Sequence, residues 1–531
     1  MSVRFFKYGA LLLLTACRTA QQAAIGPHVP EPVAPTMTPV SLPPRAPLLT
    51  MPAAAVPAPT ARALVQHLAD SAFAAPMWNN ARWGVLIVDV ASGDTIVAHD
   101  VDKLFMPASN QKLLTAAIAL QQLGPEYRWR TPLLLRGFQR GATWHGDLLV
   151  VGYGDPSVSD SSRAGHAFSA FAPIVSALSK RGITHIVGDV RTLGDVFTGA
   201  TTGFGWAVDD GDDAYGAAID ELLFNDGLLT LRVTAGAQVG SAVRVTRAPT
   251  AAYPPLVIRA TTRGIGTVGE RLRAVYDTTA TAIEVTGTMP VGDSAKLSLA
   301  YRHPNDAYRA ALRETIVAAG VRIGSATNVA TKRMRDTLTD TLVVLESPPL
   351  RDVLPRMQKP SQNQIAEMLF RTSGWMGSHD GSADSARAVG ARTLALWGVT
   401  NADAAYRDGS GLSRHDYVTP RAIVRVLDTM RQSPWFSIYR DALPLAGVDG
   451  TIANRMKSTA AAGNAHAKTG TVDKARSLSG YVTTADGHLV LFSMLCNNFT
   501  VPNREVERVQ DLLVSTLAAL RITDEIRTRD R

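Results

Sequence analysis

The character of the chain changes twice along its length, and this division limits what it can fold into. Residues 61–131 combine helix and strand patterns, residues 132–340 are mainly short strand-like runs rich in Gly and Thr, and residues 341–520 are mixed again. Alternation with period two indicates strands, while a 3.6-residue period indicates amphipathic helices. The sequence therefore predicts a mixed α/β domain split by a large β-rich insertion of one or two subdomains, with a short tail at 521–531.

The last element before this tail is predicted to be an amphipathic helix. Its N-cap would be Asn503, and its buried face would include Val506, Leu512, Leu513 and Leu517.

Composition agrees with two or three globular domains and excludes several classes of protein. The 531 residues are 46% hydrophobic, which is enough for a large buried core, and two cysteines cannot form a disulfide scaffold. No apolar run after the N-terminus reaches the ~20 residues of a membrane-spanning helix. The net charge of +8 is spread without a basic block, so we expect no nucleic-acid partner. The 11 histidines form no metal-binding motif and no glycine-rich phosphate loop is present, so we expect neither metal nor cofactor.

The first residues have the pattern of an export signal. Arg4 and Lys7 precede a short apolar stretch at 10–16, which ends in the run Leu-Thr-Ala before Cys17. This run resembles the lipobox of bacterial lipoproteins, which implies a signal peptide over 1–17 and a lipid on Cys17. The alternative is an ordinary secretory signal in which Cys17 is incidental. In both cases the chain is exported.

Residues 18–60 are rich in proline and alanine. Because proline fixes φ and removes a backbone donor, this segment should form an extended tether rather than a helix or sheet. A tether behind a lipid anchor would hold a folded domain away from a periplasmic membrane surface. By the lipoprotein resemblance, Arg18 rather than Asp after Cys17 favours the outer membrane over the inner one.

A Ser-x-x-Lys motif at Ser109 and Lys112 has residue types suited to nucleophilic catalysis. On a helix these positions lie on one face, so the lysine nitrogen can reach the serine oxygen. The lysine could act as a base if burial and a neighbouring cation lower its pKa. A helix N-terminus at Ser109 would add backbone donors for an oxyanion. The alternative is an ordinary surface serine and lysine.

A second motif, Ser361-Gln362-Asn363, opens a predicted helix. A hydroxyl and an amide two residues apart can project into one cleft. The alternative is a serine that only caps the helix.

A third motif, Lys468-Thr469-Gly470-Thr471, is expected to precede a strand. Its glycine would let a substrate backbone approach closely. The alternative is a loop with a β-turn glycine.

In this order the three motifs resemble the signature of penicillin-binding proteins and serine β-lactamases. Further similar stretches are residues 107–116, 408–414, 443–451, 467–471 and 478–482. Together they resemble the type-4 penicillin-binding proteins, the D-alanyl-D-alanine carboxypeptidase/endopeptidase family, over about residues 60–520. Gln362 stands where Asp is commoner in that family. The long separation of the first two motifs matches the family's large insertion.

This resemblance implies a transpeptidase-like fold, with an antiparallel sheet flanked by helices, and a serine acyl-enzyme that cleaves peptidoglycan stem peptides and is inhibited by β-lactams. It makes Ser109 the nucleophile and Lys112 its base. Ser361 would relay a proton to the leaving amine, and Asn363 would position the substrate amide. Lys468 would keep its charge and lower the pKa of Lys112.

The resemblance also implies a set of substrate-binding residues. Thr469, Gly470 and Thr471 would bind the terminal carboxylate, and the N–H groups of Ser109 and Thr471 would form the oxyanion hole. Asp210 and Arg414 would line a pocket for the diaminopimelate side chain, since a carboxylate and a guanidinium suit a zwitterionic end group. Asp209 is adjacent and is an alternative to Asp210.

Two other functions remain open at this stage. One is a β-lactamase on a related scaffold, which differs in how fast the acyl-enzyme is hydrolysed. The other is an envelope protein that binds peptidoglycan without turnover. The intact Ser109, Lys112 and Lys468 disfavour the second of these.

Overall fold

The computed structural model describes residues 61–522 except Asp195, Ala251, Ala280 and residues 325–338, and it leaves out the side chains of Ala61 and Asp209. The predicted signal peptide with Cys17, the tether and most of the tail lie outside the described residues. Within the described part, no helix is long and apolar enough to cross a membrane.

The described α-helices are α1 (Ala61–Phe73), α2 (Gln111–Leu123), α3 (Ala172–Lys180), α4 (Pro304–Ala318), α5 (Leu350–Gln358), α6 (Asn363–Ser378), α7 (Ala383–Leu396), α8 (Pro420–Gln432), α9 (Phe436–Asp441) and α10 (Asn503–Ala519). The described strands are β1 (Arg82–Asp89), β2 (Thr95–His99), β3 (Arg130–Arg140), β4 (Thr143–Val151), β5 (His185–Val187), β6 (Val190–Leu193), β7 (Leu228–Thr234), β8 (Arg244–Ala248), β9 (Leu256–Ile258), β10 (Thr261–Arg263), β11 (Arg273–Tyr276), β12 (Ile283–Thr286), β13 (Thr288–Pro290), β14 (Ser294–Ala300), β15 (Arg322–Gly324), β16 (Thr339–Glu346), β17 (Ala404–Ala405), β18 (Tyr417–Val418), β19 (His466–Val472), β20 (Ala475–Thr483) and β21 (Leu489–Asn497).

The first sheet reunites the two ends of the described chain. Its order is β19-β20-β21-β1-β2, and every neighbouring pair is antiparallel. Along β1 the side chains alternate between two cores: Val85 and Ile87 pack with α1 and α10, whereas Leu86 and Val88 pack with α2 and α8. Because both faces are covered by helices, β1 is a continuous apolar run, as expected for a strand buried on both sides.

The insertion forms further sheets around a core of its own. The largest has the order β15-β5-β4-β3-β16, with β6 also paired to β4, and α3 and α4 pack against it. Smaller sheets, β14-β7-β8, β11-β12-β9 and β10-β13, complete this part. Since β3 begins at Arg130 and β16 ends at Glu346, the pairing extends a few residues beyond 132–340 at each end.

Helix α6 packs on one side against the insertion and on the other against the core around α2. Its Met368 packs against Leu134 and Leu149 of the insertion's largest sheet, while Ile365 and Leu369 face the core around α2. Ser361 and Gln362 of the second motif precede this helix, and Asn363 is its first residue. The motif therefore lies where the insertion meets the rest of the fold.

The predicted mixed α/β class with an antiparallel sheet is confirmed, and two local expectations about the motifs are corrected. The N-cap of α6 is Gln362, whose side chain accepts a hydrogen bond from the Gln364 N–H, while Ser361 precedes it with a left-handed φ of 66°. The third motif precedes the expected strand, which is β20, but it is itself part of a strand, β19, at the edge of the first sheet.

The closing helix is also slightly different from its prediction. Asn503 is the first helical residue rather than the N-cap, which is Pro502 and makes no side-chain capping bond. Leu512, predicted to be buried, is 47% exposed, and Val514 is buried in its place.

Candidate active site

Ser109 and Lys112 are brought together at the start of α2. Ser109 lies in the short 3-10 turn Ala108–Asn110 that leads into the helix. Lys112 Nζ donates a hydrogen bond to Ser109 Oγ over 2.9 Å. The lysine side chain is fully buried, whereas the serine is only partly covered. A partly exposed serine hydroxyl thus lies within hydrogen-bond distance of a buried amine.

Two other segments supply the remaining partners of the Lys112 nitrogen. It donates to Asn363 Oδ1 over 2.7 Å and to the Ser410 carbonyl oxygen over 2.7 Å. Burial lowers the pKa of Lys112 to about 7, because the interior disfavours the charged ammonium. The nearby carboxyl groups of Asp408, Glu367 and Asp416 oppose this shift by favouring the charge.

Lys468 reaches the second motif from β19. Its Nζ donates to Ser361 Oγ over 2.8 Å and to the Thr469 carbonyl over 2.9 Å. Burial holds the pKa of Lys468 well below its usual range, and the charge of Lys112 lowers it further. The family resemblance implies the opposite effect, in which the charge of Lys468 lowers the pKa of Lys112. The carboxyl groups of Asp408, Glu367 and Asp416 favour the charged form of Lys112.

The turn that carries Ser109 is held tightly against β19 and β20. Ser477 Oγ donates to the Pro107 carbonyl over 2.7 Å, and Asn110 Nδ2 donates to the Lys468 carbonyl over 2.7 Å. A Cβ atom added to Gly470 would lie 2.0 Å from Ser477 Oγ and 2.5 Å from the Pro107 oxygen. The glycine of the third motif is therefore required by the close approach of this turn.

Ser109 opens into a cavity of about 530 Å³. Predicted site residues that line it are Ser109, Asp210, Ser361, Asn363, Arg414, Thr469 and Thr471. Lys112 and Lys468 do not line the cavity, because they are buried behind Ser109 and Ser361. Lining residues that the sequence did not single out as site residues are Tyr215, Gly411, Leu412, Thr451, Val472, Asp473 and Asn503.

The insertion contributes one wall of this cavity. The Tyr215 carbonyl accepts hydrogen bonds from Asn363 Nδ2 over 2.9 Å and from Gln364 Nε2 over 3.2 Å. The Tyr215 hydroxyl donates to Asp210 Oδ1 over 3.0 Å. Asp212 pairs with Arg302, which fastens the same loop to the rest of the insertion. Asp210 therefore has a defined place beside the site.

The loop after β17 forms another wall of the cavity through Gly411, Leu412 and Arg414. Only Arg414 of these three was predicted from the sequence. The run 409–411 has the composition of a turn, and as a turn it presents the Ser410 carbonyl to Lys112. Among the described residues, no group of three or more His, Cys, Asp or Glu side chains is arranged to hold a metal ion. The arrangement is that of a serine nucleophile with lysine neighbours.

Comparison with known proteins places these features in a family. A model described as the D-Ala-D-Ala carboxypeptidase 3 (S13) family matches residues 64–520. A D-alanyl-D-alanine carboxypeptidase of Actinomadura sp. (strain R39) is 31% identical over 466 residues, which are 85% of this chain and 83% of that protein. The D-alanyl-D-alanine carboxypeptidase DacB of Haemophilus influenzae is 26% identical over 437 residues, covering 80% and 86%.

Solved structures agree on the fold. Penicillin binding protein 4 from Haemophilus influenzae matches with a TM-score of 0.72 and 23% identity, covering 86% of this chain and 99% of that one. The same protein in complex with a β-lactam matches with a TM-score of 0.67 and 24% identity, over the same shares of the two chains. Since the family model spans most of the sequence, the chain belongs to the D-Ala-D-Ala carboxypeptidase 3 (S13) family and is a serine peptidase.

Proposed function

We propose that this enzyme cleaves D-Ala-D-Ala peptide bonds, cross-links or both in peptidoglycan stem peptides through an acyl-enzyme at Ser109, and that β-lactams inhibit it. The observation that carries the proposal is the 2.9 Å contact between Ser109 Oγ and the buried Lys112 nitrogen, at the floor of an open cavity. The names of the family and of its D-alanyl-D-alanine carboxypeptidase relatives support the reaction class. The β-lactam complex of the Haemophilus protein supports the inhibitor class.

In the acylation step, Ser109 Oγ attacks the carbonyl carbon between the two D-alanines while its proton passes to neutral Lys112 Nζ. The N–H groups of Ser109 and Thr471 stabilise the oxyanion. The C–N bond then breaks, and the proton that Lys112 received passes through Ser361 Oγ to the leaving amine, so that Lys112 is neutral again and Lys468 keeps its charge beside Ser361. Water hydrolyses the resulting ester and frees Ser109. Asn363 orients both the lysine and the substrate amide.

The terminal carboxylate of the substrate would lie between Thr469, Thr471 and the covered Lys468. Both threonines line the cavity. A carboxylate at this place would raise the pKa of Lys468 and keep it charged, because an opposite charge favours the ammonium form. That charge would in turn favour the neutral form of Lys112. With substrate bound, the charge of Lys468 would thus lower the pKa of Lys112, as the family resemblance implies.

Asp210 and Arg414 would recognise the side-chain terminus of diaminopimelate. They line the same cavity as Ser109, and a carboxylate facing the amine and a guanidinium facing the carboxylate complement a zwitterion.

The first experiment follows the labelling of purified protein by a fluorescent penicillin over time, beside Ser109→Ala. We expect a one-to-one covalent adduct in the wild type and none in the variant, because the β-lactam carbonyl forms an ester with Ser109 Oγ. Rapid turnover of the antibiotic with only transient labelling would favour a β-lactamase. A folded protein that takes no label would contradict the enzyme mechanism and favour peptidoglycan binding without turnover.

The rate of this acylation should depend on pH through Lys112. The base must be neutral, and its pKa is about 7, so the rate should rise with pH and level off above that value. Below it, we expect the rate to fall about tenfold per pH unit. Initial labelling rates measured between about pH 5 and 8.5 check this, with circular dichroism as the control for folding. A flat profile across that range would exclude Lys112 as the base.

Gly470→Ala should slow acylation by about 100-fold or more, because the added Cβ forces the Ser109 turn away from β19 and misplaces the oxyanion donors. The Cβ would also lie 3.1 Å from the Ser109 nitrogen. The matched control is Gly264→Ala, where the nearest atom to the added Cβ is 3.4 Å away on the Thr267 side chain. We expect the control to acylate at the wild-type rate. Equal rates in the two variants would argue against an oxyanion site at this strand.

For the chain as a whole, we propose a signal peptide at 1–17, a tether at 18–60 and a transpeptidase-like domain in two parts, 61–131 and 341–520, around the insertion at 132–340, with a tail at 521–531. The pairing of β1 with β21 supports the two-part domain, and the separate core of the insertion supports its independence.

We also propose that Cys17 carries the lipid that anchors the enzyme to the periplasmic face of the outer membrane. In a Gram-negative host fed an alkyne fatty acid, the full chain should take the label and Cys17→Ala should not. The matched control is Cys496→Ala, which removes the buried thiol of β21 and should leave labelling intact. An exported, processed wild-type protein without label would indicate an ordinary signal peptide. Separation of the membranes by density would identify the one that holds the label.

A further inference from the structure

Three buried carboxyl groups lie behind the active site and have no part in the mechanism above. They belong to Glu367 on α6 and to Asp408 and Asp416 in the segment between β17 and α8. Their side chains are at most 3% exposed. We refer to these three residues as the buried acidic group. Charged side chains are seldom buried without a partner, so the hydrogen-bond partners of these carboxyl groups indicate their role.

Glu367 holds the residue that faces the catalytic amine. Its Oε1 accepts a hydrogen bond from the Ser410 N–H over 2.8 Å. The carbonyl oxygen of the same Ser410 accepts from Lys112 Nζ over 2.7 Å. A single residue thus connects the glutamate to the lysine, and the direction of its carbonyl depends on the bond to its N–H.

Asp408 holds the rest of that turn. Its carboxylate accepts hydrogen bonds from the backbone N–H groups of Gly411 over 2.6 Å and Ser413 over 2.7 Å. It also accepts from Trp206 Nε1 of the insertion over 2.8 Å. On the other side, Thr115 Oγ1 on α2 donates to the Gly409 carbonyl over 2.6 Å. The turn is therefore fixed from α2, from α6 and from the insertion.

The charges around Lys112 come from both sides of the site. Asp408 is the largest carboxyl influence in favour of its ammonium form, followed by Glu367 and Asp416, and the neighbouring Lys468 is the nearby cation. Burial and the charge of Asp408 raise the pKa of Asp416 well above its usual range. Burial and Asp408 raise the pKa of Glu367 to about 8, against the opposing charge of Arg371.

We propose that Glu367 and Asp408 are positioning residues for acylation, which hold the Ser410 carbonyl against Lys112, and that the negative charge of Asp408 also favours the ammonium form of this lysine. The inference rests on the proposed role of Lys112 as the base. Neither carboxyl group touches the substrate. Both act through the turn 408–413, and the charge of Asp408 also raises the pKa of Lys112.

The first test separates the hydrogen bond from the rest of the side chain. Glu367→Ala removes the acceptor of the Ser410 N–H, and we expect the plateau rate of penicillin acylation at about pH 8.5 to fall at least about tenfold. Glu367→Gln keeps an acceptor at that place and should recover the rate to within about threefold. Glu346→Gln, at an exposed glutamate of β16, is the matched control for the substitution. Wild-type rates in a folded Glu367→Ala protein would overturn the positioning role.

The second test isolates the charge. Asp408→Asn removes the negative charge that favours the ammonium, so the pKa of Lys112 should fall and the acid limb of the acylation profile should move about one unit to lower pH. A residue with only a structural role would reduce the rate at every pH and leave the limb in place. An unmoved limb in folded protein would overturn the charge role.

The outcomes are distinguishable from failure of the proposed function. If the wild type is acylated at Ser109 and the variants match it, the inference alone has failed. If the wild type takes no penicillin, the proposed function has failed first. Should Asp408→Asn not fold, the Glu367 pair of variants still decides the positioning role, and Trp206→Phe, which removes one donor to Asp408, should lower the plateau rate several-fold.

Discussion

The site depends on one buried lysine nitrogen and on the three acceptors that surround it. Lys112 donates to the serine of its own helix, to the amide at the start of α6 and to a carbonyl of the turn 408–413. Removing an ammonium from water costs several kcal/mol unless its protons find partners. These partners come from segments some 250 to 300 residues apart in sequence, so the lysine can be buried only when both parts of the split domain have closed around it.

The split itself follows from the sheet. The strands before the insertion, β2 and β1, occupy one edge of the first sheet and the position next to it, while β21 at the centre and β20 and β19 towards the other edge come from the far end of the chain. The insertion leaves after α2 and returns before α5, and it packs against α6 through a second core. The core around α2 and the core shared with the insertion therefore both pack against α6, the helix that begins at the second motif.

Much of this could be predicted from the sequence, because it is encoded locally. The period of apolar residues locates α2, and the three-residue spacing puts Lys112 under Ser109. The mixed class and the family were confirmed, whereas other features depend on contacts across the chain. The reason for Gly470 is a turn 363 residues earlier in sequence, at Pro107. Ser361 has a left-handed backbone between α5 and α6, where its hydroxyl meets Lys468 of β19. The buried stripe of α10 was misjudged at Leu512, since burial there depends on the angle at which the helix meets the sheet.

The contact between the insertion and the second motif has a consequence for how such a chain can be divided. The Tyr215 carbonyl holds the amide that faces Lys112, and Trp206 holds the aspartate behind the turn 408–413. A truncated chain that kept only the split domain would lose both of these supports. The two parts are therefore not interchangeable modules. An exchange of insertions between relatives would have to preserve the 203–216 loop, because its contacts hold Asn363 and Asp408 in place.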